Sequence, residues 1–294
     1  MAESYLVIKG KSEKIPIMFS SFPDGDIHAI VENVADCKKQ SVLLFHRLYP
    51  NQNSRLIQLF LTLDVLKEQG AKDISVFVPY LPYSRQDKRY IPGEAISADA
   101  LCRILKNAGC TDLYTLDCHF MKGAPEETRG GLKIHNISVG NQLVKAYKKA
   151  IGTDKFDVVG PDSGSSYLTA DHGGKNMKKV RGEYKDLKLE DSYRDIESLL
   201  DDHIEHANDN VLIIDDMIST GSTIIKATER LRTKGIKNIA TATTHAFFLR
   251  GSYSTLDQTL DMILYSDSIE QPNAVVKCEQ IFEKQIMPEW QDRK

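Results

Sequence analysis

The chain has 294 residues and a mass of 33.1 kDa, with 41% hydrophobic and 27% charged residues, which sizes it for about two compact domains and excludes disordered, collagen-like and coiled-coil classes. Lys and Arg number 38 against 41 Asp and Glu, a formal charge of −3, so no global field draws nucleic acid or anionic lipid, and an anionic ligand has to be held by a local site. The cysteines, Cys37, Cys102, Cys110, Cys118 and Cys278, are odd in number and form no C-x-x-C pair, so neither a disulfide framework nor a zinc knuckle is suggested and a reducing compartment fits best.

Residues 1–18 lack the apolar stretch of a signal peptide, and no run approaches the ~20 apolar residues that span a bilayer. A soluble, cytoplasmic protein is expected. Along the chain, short apolar runs alternate with helical periodicities, the pattern of an α/β fold with parallel sheets flanked by helices. Residues 42–45 read as a buried strand, followed by a helix with Leu56, Leu59, Phe60, Leu63 and Leu66 on one face and Gly70 as its stop. Residues 74–78 form the next strand. Ser97 is placed to cap a helix that buries Leu101, Ile104, Leu105 and Ala108 and stops at Gly109, ahead of a strand over 113–116. A second array follows: strands over 156–159 and 211–214, a helix with Ile224, Ala227, Thr228 and Leu231 inward, and strands over 239–243 and 262–265. The boundary is set at 136/137, giving domains 1–136 and 137–294. Between the second array's first two strands, residues 172–210 are polar and rich in Lys, Asp and Glu, and their first part reads as a mobile loop.

The segment VLIIDDMISTGSTIIKA is an apolar strand ending in Asp215 and Asp216, then a turn of Ser219, Thr220, Gly221, Ser222 and Thr223 that runs straight into a helix. Gly221 allows close backbone approach, the first N–H groups of the helix are unpaired donors, and the hydroxyls add more, so the turn can cradle a phosphate. The two carboxylates can accept hydrogen bonds from a vicinal diol. Together these describe a holder for a ribose 5-phosphate; the same residues also read as an acidic strand end followed by a Ser/Thr helix cap.

This segment resembles the phosphoribosyl-binding motif of the type I phosphoribosyltransferase fold, which transferases share with ribose-phosphate pyrophosphokinases. The stretch VPYLPYSRQDKRYIPGEAISADAL followed by TLDCH resembles the ATP- and metal-binding sequence of the pyrophosphokinases. The resemblance runs from SFPDGD at 21–26 to TATTHAFF at 241–248 and implies two phosphoribosyltransferase-like domains: an ATP-binding one over 1–136 and a ribose-5-phosphate-binding one over 137–294.

Residue by residue, the resemblance implies that Phe22, Asp24, Gly25 and Asp26 hold the adenine end of ATP, with Asp26 standing where the family has Glu. Arg85, Gln86 and Asp87 match the Arg-Gln-Asp of the nucleotide site. His119, after Asp117 and Cys118, and Asp162, in VVGPDSGSS, match the family's Mg²⁺ ligands, and hard oxygen donors suit that ion. Lys179 and Arg181 match the Lys-x-Arg of the catalytic loop, Arg181 also facing the sugar phosphate, while Asp215, Asp216 and the turn 219–223 hold the acceptor. His46 and Arg47, in HRLYPNQN, stay outside the site. The implied reaction transfers the diphosphoryl group of ATP to ribose 5-phosphate, in at least a homodimer, with no nucleic acid or membrane as partner.

Retention of His119, Asp162, Lys179 and Asp215 argues against a non-catalytic regulatory homologue, and the segment 85–97 argues against a phosphoribosyltransferase. Three departures from the family pattern read either as neutral drift in a small family member or as a roomier acceptor pocket, for a larger phosphoribosyl acceptor such as ADP-ribose: fewer residues precede the Phe22 loop, Gly164-Ser165-Ser166 replaces the Gly-Gly after Asp162, and the phosphate turn carries extra hydroxyls.

Overall fold

A computed structural model describes residues 4–181, 196–199 and 208–293. The chain divides into two compact units, one of Met1–Ser138, Ser268–Pro272 and Lys277–Lys294, the other of Val139–Asp267 and Asn273–Val276.

In the first unit the elements run β1 (Ser4–Ile8), β2 (Ile15–Ser21), β3 (Ile27–Val31), β4 (Ser41–His46), α1 (Gln52–Glu68), β5 (Asp73–Phe77), α2 (Ser97–Ala108), β6 (Cys110–Leu116), β7 (Glu126–Arg129) and β8 (Leu132–Ile137). They build one sheet of order β3-β2-β1-β4-β5-β6-β8-β7. β4, β5, β6 and β8 are parallel neighbours, whereas β1 to β3 and β7 join as antiparallel ribbons at the two ends. The βαβ periodicity read from the sequence covers the parallel centre.

Strand alternation sends Val42 and Leu44 into the same core as Leu59 and Leu63 of α1. Phe45 points to the opposite face, where it stacks on Tyr5 and meets Phe282. Phe282 lies in the π-helical turn Phe282–Ile286, between the short helices Cys278–Ile281 and Met287–Asp292. The structural division departs from the 136/137 boundary: the first unit runs on to Ser138 and takes back Ser268–Pro272 and Lys277–Lys294, the last because the apolar face of its helical turns covers Tyr5, Phe45 and Phe77. All five cysteines fall in this unit and are buried as free thiols. Burial pushes the Cys102 thiol up to about 11 and raises Cys37, Cys110 and Cys118 in the same direction.

Two details of α2 correct the sequence expectation. Ser97 is the first helical residue, not the cap; Ile96 occupies the cap with no side-chain bond, and the Ser97 hydroxyl donates to Gln86 Oε1 at 2.7 Å. Ile104 is 50% exposed, because the buried stripe runs through Ala98, Leu101, Cys102 and Leu105 and turns it outward.

The second unit runs α3 (Gly140–Ile151), β9 (Asp157–Gly160), α4 (Ser166–Thr169), β10 (Lys175–Asn176), β11 (Lys178–Arg181), β12 (Ile196–Leu199), β13 (Asn210–Ile218), α5 (Ser222–Thr233), β14 (Asn238–Ala246), α6 (Ser252–Thr259) and β15 (Met262–Tyr265). Its main sheet, β10-β9-β13-β14-β15, is parallel throughout. β11 and β12 form a separate antiparallel pair. Ile224, Ala227, Thr228 and Leu231 of α5 are buried as their spacing predicts. Among the described residues no helix is long and apolar enough to cross a membrane.

Candidate active site

The chain leaves β9 toward β10 on one side and β13 on the other, so the strand order reverses between β9 and β13. In open parallel sheets ligands bind outside the carboxyl ends of the strands at such a reversal. The two segments that leave these ends carry Asp162 and the run Asp215 to Thr223, and the register Val159↔Ile213 makes the strands immediate neighbours.

At the end of β13, Asp216 is buried and Asp215 half-buried. The Asp216 N–H donates to Asp215 Oδ1 at 3.0 Å. Burial raises the Asp215 carboxyl well above the usual carboxylate range, and the charges of Asp216 and then Asp162 add to it. This concentration of negative charge around a half-buried group is relieved by hydroxyl donors or by a cation.

The turn beyond is built for close approach. Gly221 has φ +75°, and a Cβ there would stand 3.0 Å from Leu256 Cδ1. It caps α5 without a side-chain bond, so the N–H groups of Ser222 and Thr223 open the helix with no intrahelical acceptor. The segment after β14 braces the turn from behind. Phe247 N–H donates to Ile218 O at 2.9 Å and Leu249 N–H to Ser219 O at 2.9 Å.

The Asp162 backbone is extended, and its Oδ1 accepts the Gly164 N–H at 2.6 Å. Ser165 Oγ donates to Asp162 O at 2.9 Å and Ser166 Oγ to Ser163 O at 2.7 Å. The two serine hydroxyls at the family's Gly-Gly position thus hold the turn itself. Lys179 and Arg181 lie on β11, opposite Ser198 and Ile196; their side chains fall outside the described part of the structure.

In the first unit the predicted ATP residues occupy three loops. Phe22 to Asp26 form the tip of the β2–β3 hairpin, closed by Phe22 N–H to Asp26 O at 2.8 Å and by Asp26 N–H to Asp24 Oδ1 at 3.1 Å. Phe22 is 54% exposed there, its ring 5.8 Å from that of His28. After β5, Arg85 is exposed and Asp87 half-buried. Gln86 is occupied within the loop: Nε2 donates to Glu94 Oε1 at 3.0 Å, and Oε1 accepts from Ser97. Glu94 also accepts the N–H groups of Tyr90 at 2.7 Å and Ile91 at 3.3 Å, which hold its carboxyl below the usual range, the Tyr90 bond foremost.

After β6, Asp117 is buried with φ +34°, and its N–H donates to Ile137 O. The Cys118 N–H donates to Asn136 Oδ1 at 2.7 Å, and Asn136 Nδ2 donates to Ala124 O at 3.2 Å. This bend presents a half-buried His119. Glu94 and Asn136 shape the loops yet escaped the sequence reading, because a side chain that collects distant loop amides leaves no local pattern. Among the described residues no three His, Cys, Asp or Glu side chains are grouped to hold a metal ion.

Residues 7–109 match the N-terminal domain of ribose phosphate pyrophosphokinase, and residues 173–279 match the phosphoribosyl transferase domain. The chain is 32% identical over 240 residues to a ribose-phosphate pyrophosphokinase of Saccharolobus solfataricus, covering 80% of this chain and 78% of that one. It is 29% identical over 268 residues to one of Methanopyrus kandleri, covering 89% and 86%. The crystal structure of phosphoribosylpyrophosphate synthetase from Mycobacterium smegmatis superposes with a TM-score of 0.71 at 20% identity, over 94% of this chain and 88% of that one, a likeness of fold.

Proposed function

The chain belongs to the ribose-phosphate pyrophosphokinase family, and from that premise we propose that it transfers the diphosphoryl group of ATP to the anomeric hydroxyl of ribose 5-phosphate, giving phosphoribosyl pyrophosphate and AMP. The observation that carries this reading is the pairing of a carboxylate-rich strand end with an open helix N-terminus at the sheet's reversal point. Phosphate takes the N–H groups and hydroxyls of 220–223, and the ribose diol donates to Asp215 and Asp216.

In the transfer, the anomeric oxygen bonds to the β-phosphorus as the bond from that phosphorus to the AMP oxygen breaks. Positioning and charge neutralisation supply most of the rate in such a step. The first unit takes ATP: Phe22 offers an exposed ring for adenine, Asp24, Gly25 and Asp26 set the tip that carries it, and Arg85 supplies a forked cation for the phosphates. Asp87 completes that loop, and Gln86 keeps its shape through Glu94 and Ser97. Lys179 and Arg181 stabilise the charge that develops on the transferred group.

Mg²⁺ fits the donor chemistry. The Asp162 carboxylate, a hard oxygen donor, is oriented by the Gly164 N–H and adds to the charge around Asp215. In the second unit Asp162, and in the first unit His119, would each serve as a protein ligand for such an ion. When bound, the ion neutralises phosphate charge.

A second acceptor of ADP-ribose type loses one of its supports, since Ser165 and Ser166 spend their hydroxyls within the Asp162 turn. We propose at least a homodimer, supported by the exposure on this hairpin of Phe22, Met18 at 46% and, cross-strand from it, Ile30 at 43%, apolar side chains that a second copy would cover. A sedimentation profile of an active monomer would overturn that assignment. For the reaction itself, phosphorus NMR of protein, Mg²⁺, ATP and ribose 5-phosphate must show AMP and a sugar diphosphate rising together. The same assay with ADP-ribose must give a much lower kcat/KM.

A further inference from the structure

β10 is two residues long and lies at the edge of the second unit's sheet, one residue before β11 with Lys179 and Arg181. So short an edge strand needs anchors beyond its ladder. Its neighbours supply some. Met177 N–H donates to Gly160 O at 2.9 Å, the Met177 side chain is buried, and Gly174 N–H donates to Thr169 O at 3.0 Å.

The remaining anchor is a side chain. Asn176 sits opposite Gly160 in the parallel pairing of β10 with β9. Its Nδ2 donates to Ser166 Oγ at 3.0 Å, and its Oδ1 receives the Thr169 hydroxyl at 3.3 Å, a proton that Thr169 shares with Ser166 O. Ser166 Oγ passes the chain of bonds on to Ser163 O, beside Asp162. The carboxamide lies so close over the main chain of β9 that a Cβ on Gly160 would stand 2.0 Å from Asn176 Oδ1 and 2.6 Å from Ser165 Oγ. One side chain therefore reaches both the turn that carries Asp162 and the strand that leads to Lys179.

We propose that Asn176 is a positioning residue for the diphosphoryl transfer, its carboxamide locking the root of the Lys179 strand to the Asp162 turn across the glycine at 160. The inference rests on the function proposed above. Asn176 touches neither substrate; it acts by holding two reacting-centre elements in one register, and a misplacement of such elements by a fraction of an ångström is felt in turnover rather than in ground-state binding.

The test uses the full chain with ATP, ribose 5-phosphate and Mg²⁺. Asn176→Ala should lower kcat by about tenfold or more, leave KM for both substrates within about twofold, and leave the melting temperature nearly unchanged. Gly160→Ala reaches the same contact from the other strand, displacing the carboxamide without altering it, and should reproduce the kcat loss. Wild-type kcat in Asn176→Ala and Gly160→Ala overturns the proposal. So does a loss in which kcat, KM and melting temperature move together, which marks general loosening. If the unaltered protein forms no AMP and sugar diphosphate, the parent function fails and the role of Asn176 falls with it; an active parent with indifferent variants refutes Asn176 alone.

Discussion

Phe282 meets Phe45 edge-on, with ring centroids 5.5 Å apart and planes at 86°. The side chain is fully buried among Tyr5, Phe45 and Phe77, so residues late in the chain complete a core begun by β1. Phe282→Ala should cost about 3–5 kcal/mol, the range for emptying an aromatic core site. Urea denaturation followed by the fluorescence of Trp290, which is buried in the same unit, measures it.

Asp215 gives a pH signature with a definite sign. Its carboxyl is raised by burial first, then by Asp216 and Asp162, so the native state holds that proton more tightly than the unfolded chain. Stability is present below the unfolded carboxylate range and is lost as pH rises toward the folded value. Asp215→Asn should therefore melt higher than the parent at neutral pH, with the gap closing in acid. In the assay the same change should raise KM for ribose 5-phosphate by roughly 10- to 100-fold, the scale of a hydrogen bond to a charged group, and leave KM for ATP alone.

Asp162→Asn separates charge from shape. An Asn oxygen can still accept the Gly164 N–H, so melting should change little, while the Mg²⁺ concentration for half-maximal rate rises by about tenfold or more. A Mg²⁺ titration after chelator treatment checks both halves.

Lys179→Ala should lower kcat by roughly 10² to 10⁴, the loss expected for one preorganised charge on the transition state, with ATP affinity nearly unchanged. Rapid-quench turnover with equilibrium binding of ATP distinguishes the two.

The parallel centres of both sheets and the helices α1, α2 and α5 were legible because each carries its own periodicity, apolar runs for buried strands and 3.6-residue stripes for helices. The strand-to-helix turn over 219–223 was legible because its carboxylates, glycine and hydroxyls are contiguous from Asp215 to Thr223. What stayed hidden is held together across sequence distance. The β1–β3 ribbon alternates weakly, with Met18 and Ile30 exposed, and the strand β10 is fixed by Asn176 reaching Ser166 and Thr169 rather than by any pattern of its own. Phe282 joins Tyr5 across nearly the whole chain, and no window of sequence contains both. Ser97 was misread as a cap because its partner, Gln86, is eleven residues back in a loop.

The five thiols lie in the first unit and are protected there by burial, whereas the second unit carries none. Chemical labelling thus reads the two halves of the molecule unequally. A thiol reagent added to the native protein reports only openings of the first unit, at a rate set by how often that core exposes Cys37, Cys102, Cys110, Cys118 or Cys278. A single cysteine introduced on the outer face of α5 would add an independent clock for the other half. Occupancy by each substrate could then be followed as separate slowing of two labelling reactions in one tube.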